Sequence, residues 1–525
     1  MTKKSHAAEV EPDRVTYTVH EIVDYICRRH QLVWTTNGDI YALDPRNTKI
    51  QYDLDDDRFY DHAAATLFDD ELRGDRTIPP TTWASAVRIA KGRVRQRPNQ
   101  NRIPVALRAY HDPANQTLII DLQNDDDEFV QITPGGWEIV DRPGGVIFTR
   151  SENQNPPLPR PVRTAPEDRD RIVRAWARAF GVGVDDSRFL LISGWSTLVF
   201  LSDLDRPGLG MYGPSGSGKT DRSKFVLSLV DPVDELDGVS TAEAAEVTSR
   251  ESYVVTFDNL GNSFTDTFSD WFSKLVTGYM AKRRKLYTTN GVSRWKLKAP
   301  AMFTGLNVPT MKEDAKERLV AIEWATADAD PAGKTAVRQR WPESLRSEVL
   351  GVVLDALVVL LGEYDTPRPE LAAQRDLGRL KDYASMLHVL DSQGWPGGSR
   401  MTAYLDAMGT ARVADAEENL IVRLVRQWFR SEAGSKTTEI SPSDLLAALA
   451  RQANLGEFHG DHRVVGMGKT LTLDGDTVTT KQLGNRLRES ERQFRAVGVQ
   501  VEKTSKGGSK GVRWTFSEVE VPEEG

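Results

Sequence analysis

A single cysteine, Cys27, in 525 residues excludes an intramolecular disulfide and any multi-cysteine zinc site, and it suits a reducing compartment. Long apolar runs are missing as well. Val352 to Leu361 is among the longest, far short of a bilayer-spanning helix. The opening Met-Thr-Lys-Lys-Ser-His has no signal-peptide core, so the expectation is a cytoplasmic chain with no membrane partner. There is no excess of basic charge: the net charge is −8, and any nucleic-acid contact must come from local patches. No internal repeat is found. What remains, 39% hydrophobic and 27% charged residues, is the composition of a soluble globular protein. At this length two to four domains are expected, because one core seldom grows past roughly 250–300 residues.

The most informative stretch is Gly213-Pro214-Ser215-Gly216-Ser217-Gly218-Lys219-Thr220. It fits Gly-x-x-x-x-Gly-Lys-Thr, the phosphate-binding loop called Walker A. Glycines let the backbone curl until successive N–H groups point at one anion, a shape that side chains resist. Lys219 supplies a charge for the β- and γ-phosphates, Thr220 a hydroxyl for Mg²⁺, and the following helix its positive end. The apolar segment Leu209 to Tyr212 reads as the strand leading in, and Ser223 to Val230 as the helix leading out. With that context present, a merely flexible Gly/Ser loop is the minor reading. ATP with Mg²⁺ is the expected cofactor pair.

The rest of the chain arranges itself around this loop. Residues 1–14 read as a disordered tail, and 15–150 as an N-terminal α+β domain. That domain has helical spacing over Val19 to Leu32, a hairpin over Leu32 to Ala42 turning at Asn37-Gly38, a helix over Thr82 to Val94, and short strands from Val105 to Phe148. Its acidic runs, Asp55 to Asp57 and Asp125 to Glu128, lack spaced partner ligands and read as solvated loops rather than metal sites. Residues 151–167 form a linker; five prolines lie between Asn153 and Pro166. Residues 168–330 hold the P-loop core, opened by two helices between Asp168 and Leu201, and 331–415 a helical lid with the apolar face Leu350, Val353, Leu354, Leu357, Val358 and Leu361. Residues 416–519 carry Leu420 to Phe429, a Ser441-Pro442 helix start, a Thr479-x-x-Gln482 capping box opening a helix through Val497, and two strands around a basic loop. That is the order of a winged-helix domain; 520–525 is an acidic tail. The expected fold class is therefore an α/β P-loop NTPase (AAA+-like) core with a helical lid, an N-terminal α+β domain and a C-terminal winged helix.

A P-loop needs a second acidic site. Tyr253-Val-Val-Thr-Phe-Asp258 is an apolar strand ending in a carboxylate, the Walker B form, with Asp258 as Mg²⁺ partner. Asn259 follows where a water-polarising Glu is common. An amide can orient a water but cannot act as its base, which leaves Asp266 and Asp270 as candidate bases. The strand Ala301 to Asn307 ends in an amide that either contacts the γ-phosphate and its water or only shapes a turn. Arg318, before the strand Leu319 to Trp324, is either a finger in a neighbouring subunit's site or a surface ion pair. Between them, Lys282, Arg283, Arg284, Lys285, Arg294, Lys296 and Lys298 flank an Asn290-Gly291 turn, with Tyr287 and Trp295 interleaved. Phosphates attract the charges and bases stack on the rings; the bland alternative is an edge hairpin protected by lysines. A second cluster, Lys503, Lys506 and Lys510, sits on the wing, and Lys481, Arg486, Arg488, Arg492 and Arg495 on the helix before it; DNA or a protein could be the partner there.

This order of motifs resembles the superfamily 3 helicases, a branch of the AAA+ ATPases. Thr256-Phe-Asp-Asn-Leu260, Thr277-Gly278, Arg284-Lys-Leu-Tyr-Thr288 and Asp314-Ala-Lys-Glu-Arg318-Leu are similar to ATP-binding proteins of phages and integrative elements, relatives of the ATPase part of poxvirus-type primase–helicases. The resemblance spans about residues 19–517, with its specific motifs between 208 and 324. It implies Lys219, Thr220 and Asp258 at nucleotide and Mg²⁺, Asn307 as sensor, Arg318 as a finger acting in trans, and Lys282 to Lys298 as a pore hairpin. Asn290-Gly291 stands where related sequences often carry acidic residues, and the N-terminal domain shows no primase signature.

The expectation is a ring-forming, hexameric ATPase that moves on single-stranded or forked DNA in the replication of a phage or mobile element, with a separate primase or initiator as partner. The alternative is a regulatory switch NTPase in which ATP controls assembly. Such proteins usually carry an effector or sensor-repeat domain, and none is legible in the sequence.

Overall fold

A computed structural model describes residues 16–45, 47–71, 76–97, 102–141, 143–149, 155–238, 241–261, 264–284, 292–326, 339–372, 377–432, 437–459, 461–505 and 512–519. The architecture is mixed α/β, and the chain divides into two compact units, Met1–Met401 and Thr402–Gly525.

The first unit opens with α1 (Val19–Arg29), held at its start by a reciprocal Thr18/Glu21 capping box. The Thr18 backbone N–H and the Arg76 guanidinium both favour the Glu21 carboxylate and bring its pKa down to about 2. Strands β1 (Gln31–Trp34), β2 (Ile40–Asp44) and β3 (Asn47–Asp53) form an antiparallel sheet, the first two joined by the expected Asn37-Gly38 turn. Then come α2 (Asp57–Glu71), which no apolar period announced, and α3 (Pro80–Arg95). Their inner faces share one core with Ile22, Ile26, Phe59, Trp83 and Val87.

A second layer follows. β4 (Val105–Ala106) pairs in parallel with β9 (Ile147–Phe148), while β5 (Ala109–Asp112), β6 (Thr117–Asp121), β7 (Phe129–Thr133) and β8 (Gly136–Val140) make an antiparallel meander. The proline-rich segment after it is extended, as expected, and pinned at both ends: Leu158 N–H donates to Leu122 and Val162 N–H to Ser347.

The helices α4 (Arg169–Ala179) and α5 (Ser187–Leu198) precede a four-stranded parallel sheet. It consists of β10 (Gly208–Tyr212), β11 (Val255–Leu260), β14 (Ala301–Gly305) and β15 (Leu319–Glu323), in the order β11-β14-β10-β15. Covered on both faces, β10 and β14 are buried at every position, which is why they read as continuous apolar runs. α6 (Lys219–Val230) packs on β10 and β14. α7 (Ala242–Thr248) and α8 (Asp266–Thr277) contact each other, and α8 sets Phe268, Trp271 and Phe272 against the stacked pair Phe257–Phe303, whose ring centroids are 4.9 Å apart. β12 (Tyr279–Arg284) and β13 (Val292–Leu297) form the expected hairpin, Lys282 opposite Arg294. α9 (Glu313–Lys316) is a short turn before β15. α10 (Glu343–Gly362), buried nearly all round, is followed by α11 (Pro369–Ala372) and α12 (Lys381–Asp391).

α13 (Arg400–Glu418) carries the chain into the second unit. There α14 (Leu420–Glu432), β16 (Thr437–Ile440) and α15 (Pro442–Gln452) lead to a small antiparallel sheet of β17 (Val464–Met467), β18 (Thr470–Leu473) and β19 (Asp476–Thr477). The capping box at Thr479 is formed, but the helix it opens does not run unbroken to Val497. It splits into α16 (Thr480–Glu489) and α17 (Glu491–Ala496) at the buried Ser490. β20 (Val499–Ser505) and β21 (Val512–Glu518) close a second sheet, β16-β21-β20. Leu483, Leu487, Phe494 and Val497 are all buried in this unit's core, as their spacing predicts.

Candidate functional site

The loop between β10 and α6 takes its shape from three glycines with positive φ: Gly213 at 146°, Gly216 at 83° and Gly218 at 80°. At Gly213 a Cβ would lie 2.1 Å from the Trp324 carbonyl oxygen, and at Gly218 it would meet the Arg222 guanidinium at 2.6 Å. Side chains are excluded at both positions by conformation and by space. The loop is also clamped from beneath. Buried Arg222 donates from Nη1 to the Ser217 carbonyl (2.6 Å) and from Nε to the Phe180 carbonyl (3.0 Å), and its guanidinium lies 3.9 Å from the centroid of the Trp324 ring. Lys219 folds back to donate to the Pro214 carbonyl at 3.4 Å. Lys219 and Thr220 open α6, whose first N–H groups have no helical partner and face the loop's end.

The neighbouring strand ends lie level with this loop. Tyr212 is in register with Gly305 on one side and Glu323 on the other. Gly213 N–H lies 3.2 Å from both the Gly305 and the Leu306 carbonyl oxygens, which brings the start of the loop beside exposed Asn307. A cavity of about 590 Å³ opens here, lined among others by Gly213, Pro214, Asn307, Trp324 and Arg188. Arg188 is held by Asp186 at 2.7 Å and lies over the Trp324 ring, 4.7 Å from its centroid. A crevice beyond the carboxyl ends of parallel strands is where such sheets bind ligands.

Asp258, half-buried, lies in the carboxyl half of β11, and the strand runs two residues beyond it to Leu260. Its Oδ1 accepts a hydrogen bond of 2.6 Å from Thr304 Oγ1, and Thr304 Oγ1 accepts one of 2.8 Å from Asn259 N–H. Asn259 sits at φ 51°, an unusual conformation for a residue with a Cβ. The Asp258 N–H donates to the Asp237 carbonyl. Neither Thr304 nor Asp237 was legible as part of a site: each is a common residue type whose partner is distant in sequence.

The remaining candidates lie elsewhere. Asp270, on α8, pairs with Lys312 at 2.8 Å, and Asp266 lies 4.0 Å from the same lysine. Arg318 is 4% exposed and pairs with Asp314 at 2.5 Å. Burial tends to raise the Asp314 carboxyl, but Arg318, together with Ser273 and Arg379, holds the group below its usual range. In the hairpin Lys296 is exposed, whereas Lys298 is tied down, its Nζ 2.6 Å from both the Asp205 carboxylate and the Asp203 carbonyl. Lys285, the Asn290-Gly291 turn, Lys506 and Lys510 fall outside the described residues, as do the side chains of Lys282, Arg283, Arg284 and Arg294. Lys503 is exposed on β20. Among the described residues no helix is long and apolar enough to cross a membrane.

Comparison with known proteins adds a family. The model for the actinomycete integrative conjugative element replication protein matches residues 162–429, just over half of the 525 residues. No curated protein matches. Solved structures similar to the chain include the apo A form of the NrS-1 C-terminal region, at 9% identity and TM-score 0.37, covering 97% of this chain and 100% of that one. SCCmec type IV Cch, titled an active helicase, is 12% identical with TM-score 0.43, covering 93% of each chain. JCV helicase is 11% identical with TM-score 0.22, covering 47% of this chain and 65% of that one. Overlaps this loose carry no argument of their own. The family match includes the glycine loop, Asp258, Asn307 and the whole parallel sheet. The chain belongs to the replication proteins of actinomycete integrative conjugative elements.

Proposed function

We propose that this replication protein is an ATP-driven DNA translocase or helicase of the superfamily 3 type, with an AAA+-like core. The observation that carries the reading is the convergence of the three-glycine loop, the helix start at Lys219-Thr220, the Asp258 carboxylate and Asn307 at the carboxyl ends of one parallel sheet. The donor set fits Mg-ATP. The loop's left-handed glycines offer backbone N–H groups, Lys219 a cation, and Thr220 and Asp258 oxygens of the kind a hard cation takes. Bound Mg²⁺ would supply charge neutralisation along the phosphates. In this reading Gly213 to Thr220 cradle the phosphates, Asp258 and Thr220 hold the metal, and Asn259 and Asn307 orient the attacking water. The chain assembles as a hexameric ring, with Arg318 offered to the neighbouring subunit's nucleotide once it releases Asp314.

DNA lies against the β12–β13 hairpin, gripped by its lysines and arginines, of which Lys296 is exposed. Residues 331–415 act as a lid, and residues 416–519 are a winged helix whose wing, β20–β21, makes a second DNA contact. The strand order β16-β21-β20 with α14, α15 and α16 supports that assignment. Residues 15–150 supply α+β elements that belong to the same compact unit as the parallel sheet, and a separate primase or initiator is the proposed partner.

The test is ATP turnover at low salt, with and without single-stranded DNA, for the native chain and Lys219→Ala. Turnover raised severalfold by DNA and abolished by the substitution is the expected result. Turnover indifferent to DNA would refute the motor and favour a switch in which ATP controls assembly.

A further inference from the structure

Thr304 occupies the middle of the metal and water machinery without belonging to any motif. It lies on β14 in register with Met211 and is 1% exposed. Across from it β11 is irregular: Phe257 pairs with Phe303 and Leu260 with Gly305, so three residue steps on one strand face two on the other. That is a one-residue bulge, a device that re-aims a side chain. The bulged residues are Asp258 and Asn259, and both are tied to the one hydroxyl. A threonine hydroxyl has a single proton and two lone pairs. Here the proton goes to Asp258 Oδ1 at 2.6 Å and a lone pair takes the Asn259 N–H at 2.8 Å. The two bonds do not compete; each orders its partner.

We propose that Thr304 is a positioning residue for the metal site. It fixes the Asp258 carboxylate in one rotation with Oδ1 engaged and Oδ2 left for the cation, and it pins the Asn259 peptide in its left-handed turn. This rests on the reading of Asp258 as the ligand of the nucleotide's metal. Outer hydrogen-bond partners of ligating carboxylates change metal affinity by about 10–100-fold when removed. Thr304→Val keeps the shape and removes the hydroxyl; Thr304→Ser keeps the hydroxyl and removes the methyl group.

The experiment titrates Mn²⁺ into the full chain saturated with a non-hydrolysable ATP analogue, reading free Mn²⁺ by electron paramagnetic resonance. Analogue binding in EDTA and the thermal midpoint are recorded alongside. Thr304→Val is expected to weaken Mn²⁺ at least about tenfold, with analogue binding in EDTA unchanged; Thr304→Ser stays near the native value and Asp258→Asn loses the site. A folded Thr304→Val that titrates like the native chain overturns the proposal, as does a Thr304→Ser as impaired as the valine variant. If the valine variant fails to fold, Thr304→Cys, a weaker donor, replaces it: an intermediate loss supports the proposal and native affinity overturns it. If the native chain itself shows no analogue-dependent Mn²⁺ binding, the Asp258 assignment falls first and takes this inference with it.

Discussion

Arg108 and Asp231 form an ion pair with 0% and 2% side-chain exposure, and its removal is the sharpest test of how the first unit is held together. Arg108 Nε and Nη2 donate to Asp231 Oδ1 at 3.0 and 2.9 Å, while Asp231 Oδ2 accepts the Val254 N–H at 3.0 Å. Asp231 also ends α6. One carboxylate thus joins the loop before β5, the far end of the helix that follows the glycine loop, and the entry to β11. Truncating either partner leaves the other charge buried without compensation, which costs about 3–5 kcal/mol, a large share of a typical total of about 5–15 kcal/mol. Replacing both by apolar residues of similar volume is far less harmful, since the desolvation penalty disappears with the charges. The assay is denaturant unfolding of native, Arg108→Met, Asp231→Leu and the double variant, followed by fluorescence of the first unit's tryptophans. Each single change should cost at least about 3 kcal/mol and the double clearly less than their sum. Single costs under about 1 kcal/mol, or strict additivity, would refute the reasoning.

Other consequences follow from the same geometry. Gly213→Ala places a methyl group 2.1 Å from the Trp324 carbonyl oxygen, so nucleotide binding measured with a fluorescent ATP analogue should be lost while the second unit stays folded. Burial holds the His30 and His111 imidazoles neutral, with pKa values lowered to about 4, against roughly 6.5 in an unfolded chain. Between these values the unfolded state binds more protons, so stability is full above about pH 6.5 and declines as pH falls towards 4. The thermal midpoint should drop over that window, and His111→Phe, which preserves the edge contact with Tyr364, should flatten the drop. In the hairpin, exposed Lys296→Ala should weaken single-stranded DNA binding and shallow its salt dependence by about one unit of slope. Lys298→Ala, whose ammonium is engaged by Asp205 and the Asp203 carbonyl, should weaken binding less. Equal effects would show that Lys298 leaves these partners on DNA.

Local signals carried much of the architecture. The Gly213 to Thr220 loop, the Asn37-Gly38 turn, the Thr479 box and the buried face of α16 and α17 are written in contiguous residues, because their physics is contiguous. α2 is not legible in the sequence because its acidic start, Asp55 to Asp57, reads as loop, although Asp55 and Asp56 pair with Lys91 and Arg58. β17 to β19 are not legible because strands this short have too few residues to show a period. The split at Ser490 depends on tertiary contacts; Ser490 Oγ accepts from Asn419, 71 residues away. The parts of the site that escaped the sequence share that property. Thr304 meets Asp258 across 46 residues, and outside the site Arg108 likewise meets Asp231 across 123. Arg318 looks the same in sequence whether it is presented to a neighbour or, as here, folded onto Asp314.

The central claim is that nucleotide turnover at the Gly213 to Thr220 loop drives movement on DNA. It is tested most directly by ATP-dependent strand displacement from a labelled fork, comparing the native chain with Lys219→Ala, Asp258→Asn and Lys296→Ala. Displacement by the native chain, none by the first two variants and a reduced rate for the third is the predicted result. Full ATP turnover with no displacement from any fork or tailed duplex would contradict the account and leave a nucleotide switch in its place.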